Sequence, residues 1–114
     1  MSFVEVLRKT SESFQRYRDK LDSHLKLIKA VGEEFFGEVD VYLFGSTVRG
    51  ENRPLSDIDV AVVLERRPSL DERMRFLTRL RDLLGTFHPF EIHVIGRKEW
   101  EGWYRRFVRE YRKV

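Results

Sequence analysis

The sequence contains no cysteine, which excludes a disulfide framework, a thiol nucleophile and a thiolate-held metal. Its three histidines, His24, His88 and His93, are too few and too scattered for a zinc finger. No apolar run reaches bilayer-spanning length, and Glu5, Arg8 and Lys9 interrupt the N-terminal stretch. Neither a signal peptide nor a transmembrane helix is therefore expected, and a cytoplasmic location is. Side-chain amides are almost missing: Asn52 and Gln15 stand alone, whereas 16 of the 22 basic residues are arginine. Abundant ion-pairing groups with few thermolabile amides are the composition of a thermophile. A chain of 114 residues has room for one domain, residues 1–114, and none for separate modules that hold a template or a polymer. The net charge of +3 is too small to argue for nucleic acid as a partner.

What the chain does carry is clear periodicity. Phe14, Tyr17, Leu21, Leu25, Ile28 and Val31 recur at three- and four-residue spacing, which predicts an amphipathic helix from Ser13 to about Phe36. Phe3 to Thr10 also reads as helical, with Thr10-Ser11 as a break point; one long helix and a helix pair are both open. Gly37 ends this pattern, and Val39 to Phe44 is rich in residues that suit a strand. Pro54 excludes a helix through the polar stretch that follows. A second strand is expected from Asp57 to Leu64, with Ile58, Val60, Val62 and Leu64 on one face and Asp57, Asp59, Ala61 and Val63 on the other. Ser69 is placed to cap a further helix with the stripe Met74, Leu77, Leu80, Leu83 and Leu84, closed by Gly85. Phe90, Ile92 and Val94 then alternate with Glu91 and His93 in a third strand. From Arg97 to the C-terminus a last helix is expected, with Trp100, Trp103, Tyr104, Phe107 and Tyr111 along one stripe. The predicted architecture is α+β, with a small mixed sheet of three or more strands flanked by layers of helix.

The chemistry concentrates where strands meet loops. Two carboxylates at i and i+2 of a strand, Asp57 and Asp59, sit close together on one face. At about 4 Å and an effective dielectric near 20, two such charges repel by roughly 4 kcal/mol. A hard divalent cation such as Mg²⁺ or Mn²⁺ removes that cost and brings a substrate phosphate with it. Gly45-Ser46 directly follows a strand, so its backbone can approach a ligand and its hydroxyl and N–H groups can meet phosphate oxygens. Glu91 offers a third carboxylate that could join a metal-centred group or take a proton from an attacking hydroxyl. Such a set suits in-line nucleotidyl transfer, where catalysis is positioning and charge neutralisation.

The run GSTVRGENRPLSDIDVAV places ten residues between Gly45-Ser46 and Asp57-Ile58-Asp59, with Arg49-Gly50 after the turn and Ser56 before the first aspartate. It resembles the signature of the minimal nucleotidyltransferases of the DNA polymerase β superfamily. The resemblance implies that Gly45 and Ser46 hold triphosphate oxygens, with Arg49 and Ser56 beside them at the nucleotide. Asp57, Asp59 and Glu91 would be catalytic and metal-binding. It implies Mg²⁺, two ions, with Mn²⁺ as an alternative, and ATP as the nucleotide whose AMP moves to a hydroxyl. Small members of this kind resemble the antitoxin halves of toxin–antitoxin pairs that modify a tyrosine of a HEPN-domain partner. A silent module that neutralises its partner by contact, and a transferase acting on a small molecule or an RNA end, are the alternatives. Arg49 has two open roles, at phosphate or in a pair with Glu51. His93, on the face of Glu91, would orient phosphate or acceptor, or be structural. The aromatic stripe, flanked by Arg105, Arg106, Arg109 and Arg112, is either core or a contact with a partner, including a second copy of the chain.

Overall fold

A computed structural model describes residues 1–114. The Ser2 hydroxyl accepts the Glu5 N–H and starts α1, Phe3–Asp19; α2, Leu21–Phe36, follows, ended by Gly37 at φ 79°. The two form a helix pair, and the break falls at Lys20 (φ −118°, ψ 36°) and not at Thr10-Ser11. Thr and Ser cost a helix only about half a kcal/mol each. That is less than is gained by burying Phe14, further along the same helix, so residues 10 and 11 stay helical.

Then come β1, Asp40–Phe44; a 3₁₀ turn, Gly45–Thr47; β2, Ile58–Leu64; α3, Leu70–Leu84; and β3, Phe90–Gly96. Residues 97–107 form a short helical segment, α4, with π geometry over Trp100–Tyr104. β4, Tyr111–Lys113, is last. The sheet runs β3-β2-β1-β4; β1 is antiparallel to both of its neighbours, and β2 and β3 are parallel. It is a mixed four-stranded sheet flanked by helices, as the sequence pattern predicts. None of its helices is long and apolar enough to cross a membrane.

Two expectations are corrected. The last helix does not reach Tyr111: Val108 turns extended, and Tyr111–Lys113 pairs with the open edge of β1. The Val114 N–H completes the pairing at the Val41 carbonyl, 2.8 Å away. Unpaired edge groups attract a strand, and that demand is invisible to local periodicity. In α3 the buried residues are Phe76, Leu80 and Leu84, whereas Met74 and Leu83 face solvent. The Phe76 ring seats against Phe35 and Phe36, at 5.9 and 5.3 Å between centroids, and this sets the helix rotation.

Alternation on β2 divides the interior. Ile58, Val60, Val62 and Leu64 face α2 and α3 in the larger core. Ala61 and Val63 join Tyr42, Phe44, Ile95 and Trp100 in a smaller core on the opposite face, roofed by α4. Trp100 stacks on Tyr42 at 4.6 Å, with the rings inclined by only 14°. The smaller core leaves the upper part of its face uncovered, and there the polar residues of β2 and β3 emerge.

Candidate active site

Register places the site residues side by side. Phe44 of β1 lies beside Asp59 of β2, which lies beside Glu91 of β3; two residues along the same face, Tyr42, Ala61 and His93 form the next row. Asp59, Glu91 and His93 thereby converge, with one ligand atom of each within 4.8 Å of the others. His93 Nε2 is 3.7 Å from Asp59 Oδ1 and 3.8 Å from Glu91 Oε1. Asp57 stands one residue ahead of β2 and is exposed; it is outside this close group, although its charge acts on Glu91. The expected set of Asp57, Asp59 and Glu91 thus resolves into an inner pair, Asp59 with Glu91, and one outer carboxylate, Asp57.

Although 55% of the Glu91 side chain is exposed, partial desolvation raises its pKa, opposed by His93 and reinforced by the negative charges of Asp59 and Asp57. A cation at this spot would relieve the same repulsion. The donor set, carboxylate oxygens with one imidazole nitrogen, accepts Mg²⁺ or Mn²⁺.

Gly45 is tied directly to this group. It sits at φ +81°, and a Cβ there would lie 2.5 Å from Asp59 Oδ2. The Gly-Ser turn therefore packs its backbone against the inner carboxylate, which only glycine permits. Ser46 follows within the 3₁₀ turn, and its carbonyl accepts the Glu51 N–H at 2.9 Å. Arg49 pairs with Glu51 at 3.1 Å on the exposed side of the loop. Such an exposed pair is worth about 0–1 kcal/mol, so phosphate can replace Glu51 at little cost. Ser56 is held by its own loop, its hydroxyl accepting the Arg53 N–H and donating to the Arg53 carbonyl.

Two contributors escape sequence reasoning. Arg18 of α1 donates to the carbonyls of Arg53, Pro54 and Ser56, at 2.9, 3.2 and 2.7 Å, and so pins the loop that delivers Asp57. It follows Tyr17 on an otherwise charged helix surface, and nothing in its spacing marks it. Tyr104 of α4 reaches down to His93, with its hydroxyl 3.0 Å from Nδ1. Burial, with Glu99 and Glu91 nearby, raises its pKa. It was visible only as one ring of an aromatic stripe. That stripe divides: Trp100 is buried and Tyr104 half-buried, while Trp103 and Phe107 are 61% and 69% exposed and meet edge to face, with ring centroids 5.2 Å apart.

The surface hollows of the chain include neither Asp59 nor His93; one, between α3 and β3, reaches the group at Glu91. The carboxylates lie on an open face of the sheet.

Comparison with known proteins points the same way. The family model "Nucleotidyltransferase domain" matches residues 24–114. Spectinomycin 9-adenylyltransferase of Staphylococcus aureus is 36% identical over a match that covers 76% of this chain and 35% of that protein. The chain thus spans about a third of the length of this relative. Protein adenylyltransferase MntA of Thermococcus cleftensis is 37% identical over 59% of this chain and 68% of the relative. Among solved structures, one described as a nucleotidyltransferase superposes with a TM-score of 0.66 at 34% identity, covering 80% of this chain and 97% of that one. A second, from Sulfolobus solfataricus, gives a TM-score of 0.51 at 26% identity, covering 80% and 78%.

Proposed function

The chain belongs to the nucleotidyltransferase domain family, and on that premise we propose that it transfers AMP from ATP to a hydroxyl, most specifically a tyrosine hydroxyl of a HEPN-domain partner, releasing pyrophosphate. The observation that carries the reading is the convergence of Asp59, Glu91 and His93 on adjacent strands, with the Gly45 backbone against Asp59. The activities for which the relatives are named, adenylyl transfer to spectinomycin and to protein, support AMP as the group moved. The open face around the carboxylates supports a macromolecular acceptor, because a small molecule gains most from an enclosed pocket. The exposed Trp103 and Phe107 beside Tyr104 give such an acceptor, or a second copy of the chain, an apolar surface.

In this reading the Gly45-Ser46 turn holds triphosphate oxygens, and Arg49 leaves Glu51 to join them. Asp57 and Asp59, with Glu91, would hold Mg²⁺ or Mn²⁺, which when bound neutralises triphosphate charge and acidifies the acceptor hydroxyl. Glu91, beside Asp59 on the neighbouring strand, takes the hydroxyl proton. The freed oxygen attacks the α-phosphorus, the bond from that phosphorus to the bridging oxygen breaks, and pyrophosphate leaves with the electron pair.

The test is to incubate the chain with α-labelled ATP, Mg²⁺ and the HEPN-domain product of the neighbouring gene. Label is expected on a tyrosine of the partner, and none with Asp57→Ala/Asp59→Ala. Stable co-purification of the pair with no label under any condition would replace this reading by neutralisation through contact.

A further inference from the structure

His93 is held from two sides and faces two carboxylates on a third. Its ring packs against Phe44, with centroids 5.4 Å apart, and meets Tyr104 edge-on at 5.5 Å; Nδ1 bonds the Tyr104 hydroxyl. Nε2 is buried and has no hydrogen-bond partner. The two carboxylates it faces, at 3.7 and 3.8 Å, are beyond hydrogen-bonding range. Leaving a buried polar atom unpaired costs about 1–3 kcal/mol, so this orientation calls for a compensating ligand. For an ion bound at about 2.1 Å, neighbouring donors of an octahedron lie roughly 3 Å apart and opposite ones roughly 4.2 Å. The two distances from Nε2, 3.7 and 3.8 Å, fall between these limits. The Tyr104 hydroxyl both donates and accepts, so it can accept a hydrogen bond from Nδ1–H and leave the Nε2 lone pair for the ion.

We propose that His93 supplies a nitrogen ligand to the divalent cation between Asp59 and Glu91, that Tyr104 is the positioning residue for it, and that the site therefore prefers Mn²⁺ to Mg²⁺. The proposal rests on the nucleotidyl-transfer reading for the presence of a cation at these carboxylates. An imidazole nitrogen suits transition ions, whereas Mg²⁺ favours oxygen donors and keeps its waters. Replacing one oxygen donor by nitrogen therefore shifts selectivity between the two ions.

Mn²⁺ alone, added to the full chain, is the probe. Free ion is counted by its electron paramagnetic resonance, nitrogen coordination is read from pulsed measurements of ¹⁴N coupling, and Mg²⁺ affinity is obtained by competition. The wild type is expected to bind Mn²⁺ more tightly than Mg²⁺ and to give imidazole coupling. His93→Ala should lose the coupling and at least tenfold in Mn²⁺ affinity, with a smaller change for Mg²⁺. His93→Gln, which puts an amide oxygen in place of the ring nitrogen at roughly the same volume, should recover Mg²⁺ binding without the coupling and so excludes misfolding as the cause. Tyr104→Phe should weaken Mn²⁺ by about tenfold and alter the coupling, as loss of an outer partner does. Mn²⁺ held without nitrogen coupling, or equal losses of both ions in His93→Ala, overturns the proposal, as does a wild type that binds no Mn²⁺. Labelled AMP transfer continuing in the face of those results leaves the nucleotidyl-transfer reading standing. Coupling without any transfer would sink that reading and keep this one.

Discussion

At Gly45 two constraints meet in one residue: a left-handed backbone and a carboxylate where a methyl group would stand. Gly45→Ala is expected to cost about 1 kcal/mol or more in stability from the backbone alone. It must also push Asp59 aside, and a displacement of about 1 Å at a reacting group can lower the rate on the order of 10²-fold. Denaturant unfolding and the label-transfer assay separate the two losses. Glu91 makes an opposite prediction about stability. Its folded pKa is raised, so between its unfolded and folded values the native state binds more protons, and stability falls as pH rises through that interval. Glu91→Gln should therefore melt higher than wild type at neutral pH without cation, and the gain should vanish below the ordinary carboxylate range. The same variant should transfer AMP about 10²–10⁴-fold more slowly. A variant that melts lower than wild type at neutral pH would show that Glu91 is stabilised by its surroundings.

Elements owe their ends to particular residues, and two of those ends bear on the site. Arg18 joins α1 to the loop at residues 53–56 through three carbonyls and is desolvated by doing so. Arg18→Lys keeps the charge but cannot span three acceptors with one ammonium. It should lose about 1–3 kcal/mol and speed amide exchange around Asp57 while the strands stay protected. At α3, Ser69 and Glu72 cap each other's backbone N–H groups, and Arg66 bonds the same glutamate. That bond first, and then the Ser69 backbone, hold Glu72 at a pKa of about 2. A depressed carboxylate stabilises the fold above its unfolded pKa and loses that contribution as pH falls through the folded value. The melting difference between wild type and Glu72→Gln should thus be full at neutral pH and shrink from about pH 4.5 down to about pH 2. A difference that does not change with pH would mean that the charge plays no part.

The whole molecule is a sheet with unequal faces. One is closed by α2 and α3 over a large core; the other carries a small core under α4 and, beyond it, the carboxylates. Trp100 is the main filler of the small core, and Trp100→Ala should cost about 3–5 kcal/mol, a large part of the stability of a domain this size. It should also loosen Tyr104 and His93, because α4 carries the one that positions the other. Trp103 and Phe107 lie on the outer side of the same helix. Their joint replacement by serine should leave the melting temperature unchanged and reduce transfer to a macromolecular acceptor, as sedimentation and label transfer would record.

Most of the residues that gather at the candidate site were legible in the chain alone. A glycine–serine turn after a strand, Asp57-Ile58-Asp59 at strand spacing and an acidic residue on a later alternating strand are local patterns, because side-chain direction along a strand follows from a two-residue period. The faces of β2 and β3 were readable for the same reason. What local periodicity could not encode was every relation set by another element. β1 recruits Tyr111–Lys113 to an edge that only the assembled sheet exposes, and Phe76 rotates α3 by packing on α2. Asp59, rather than Asp57, lies innermost because strand register aligns it with Glu91. Arg18 and Tyr104 reach the site from opposite ends of the sequence. The sequence by itself determined the donors; the tertiary structure decided their distances, since those depend on register and helix docking between residues far apart in the chain.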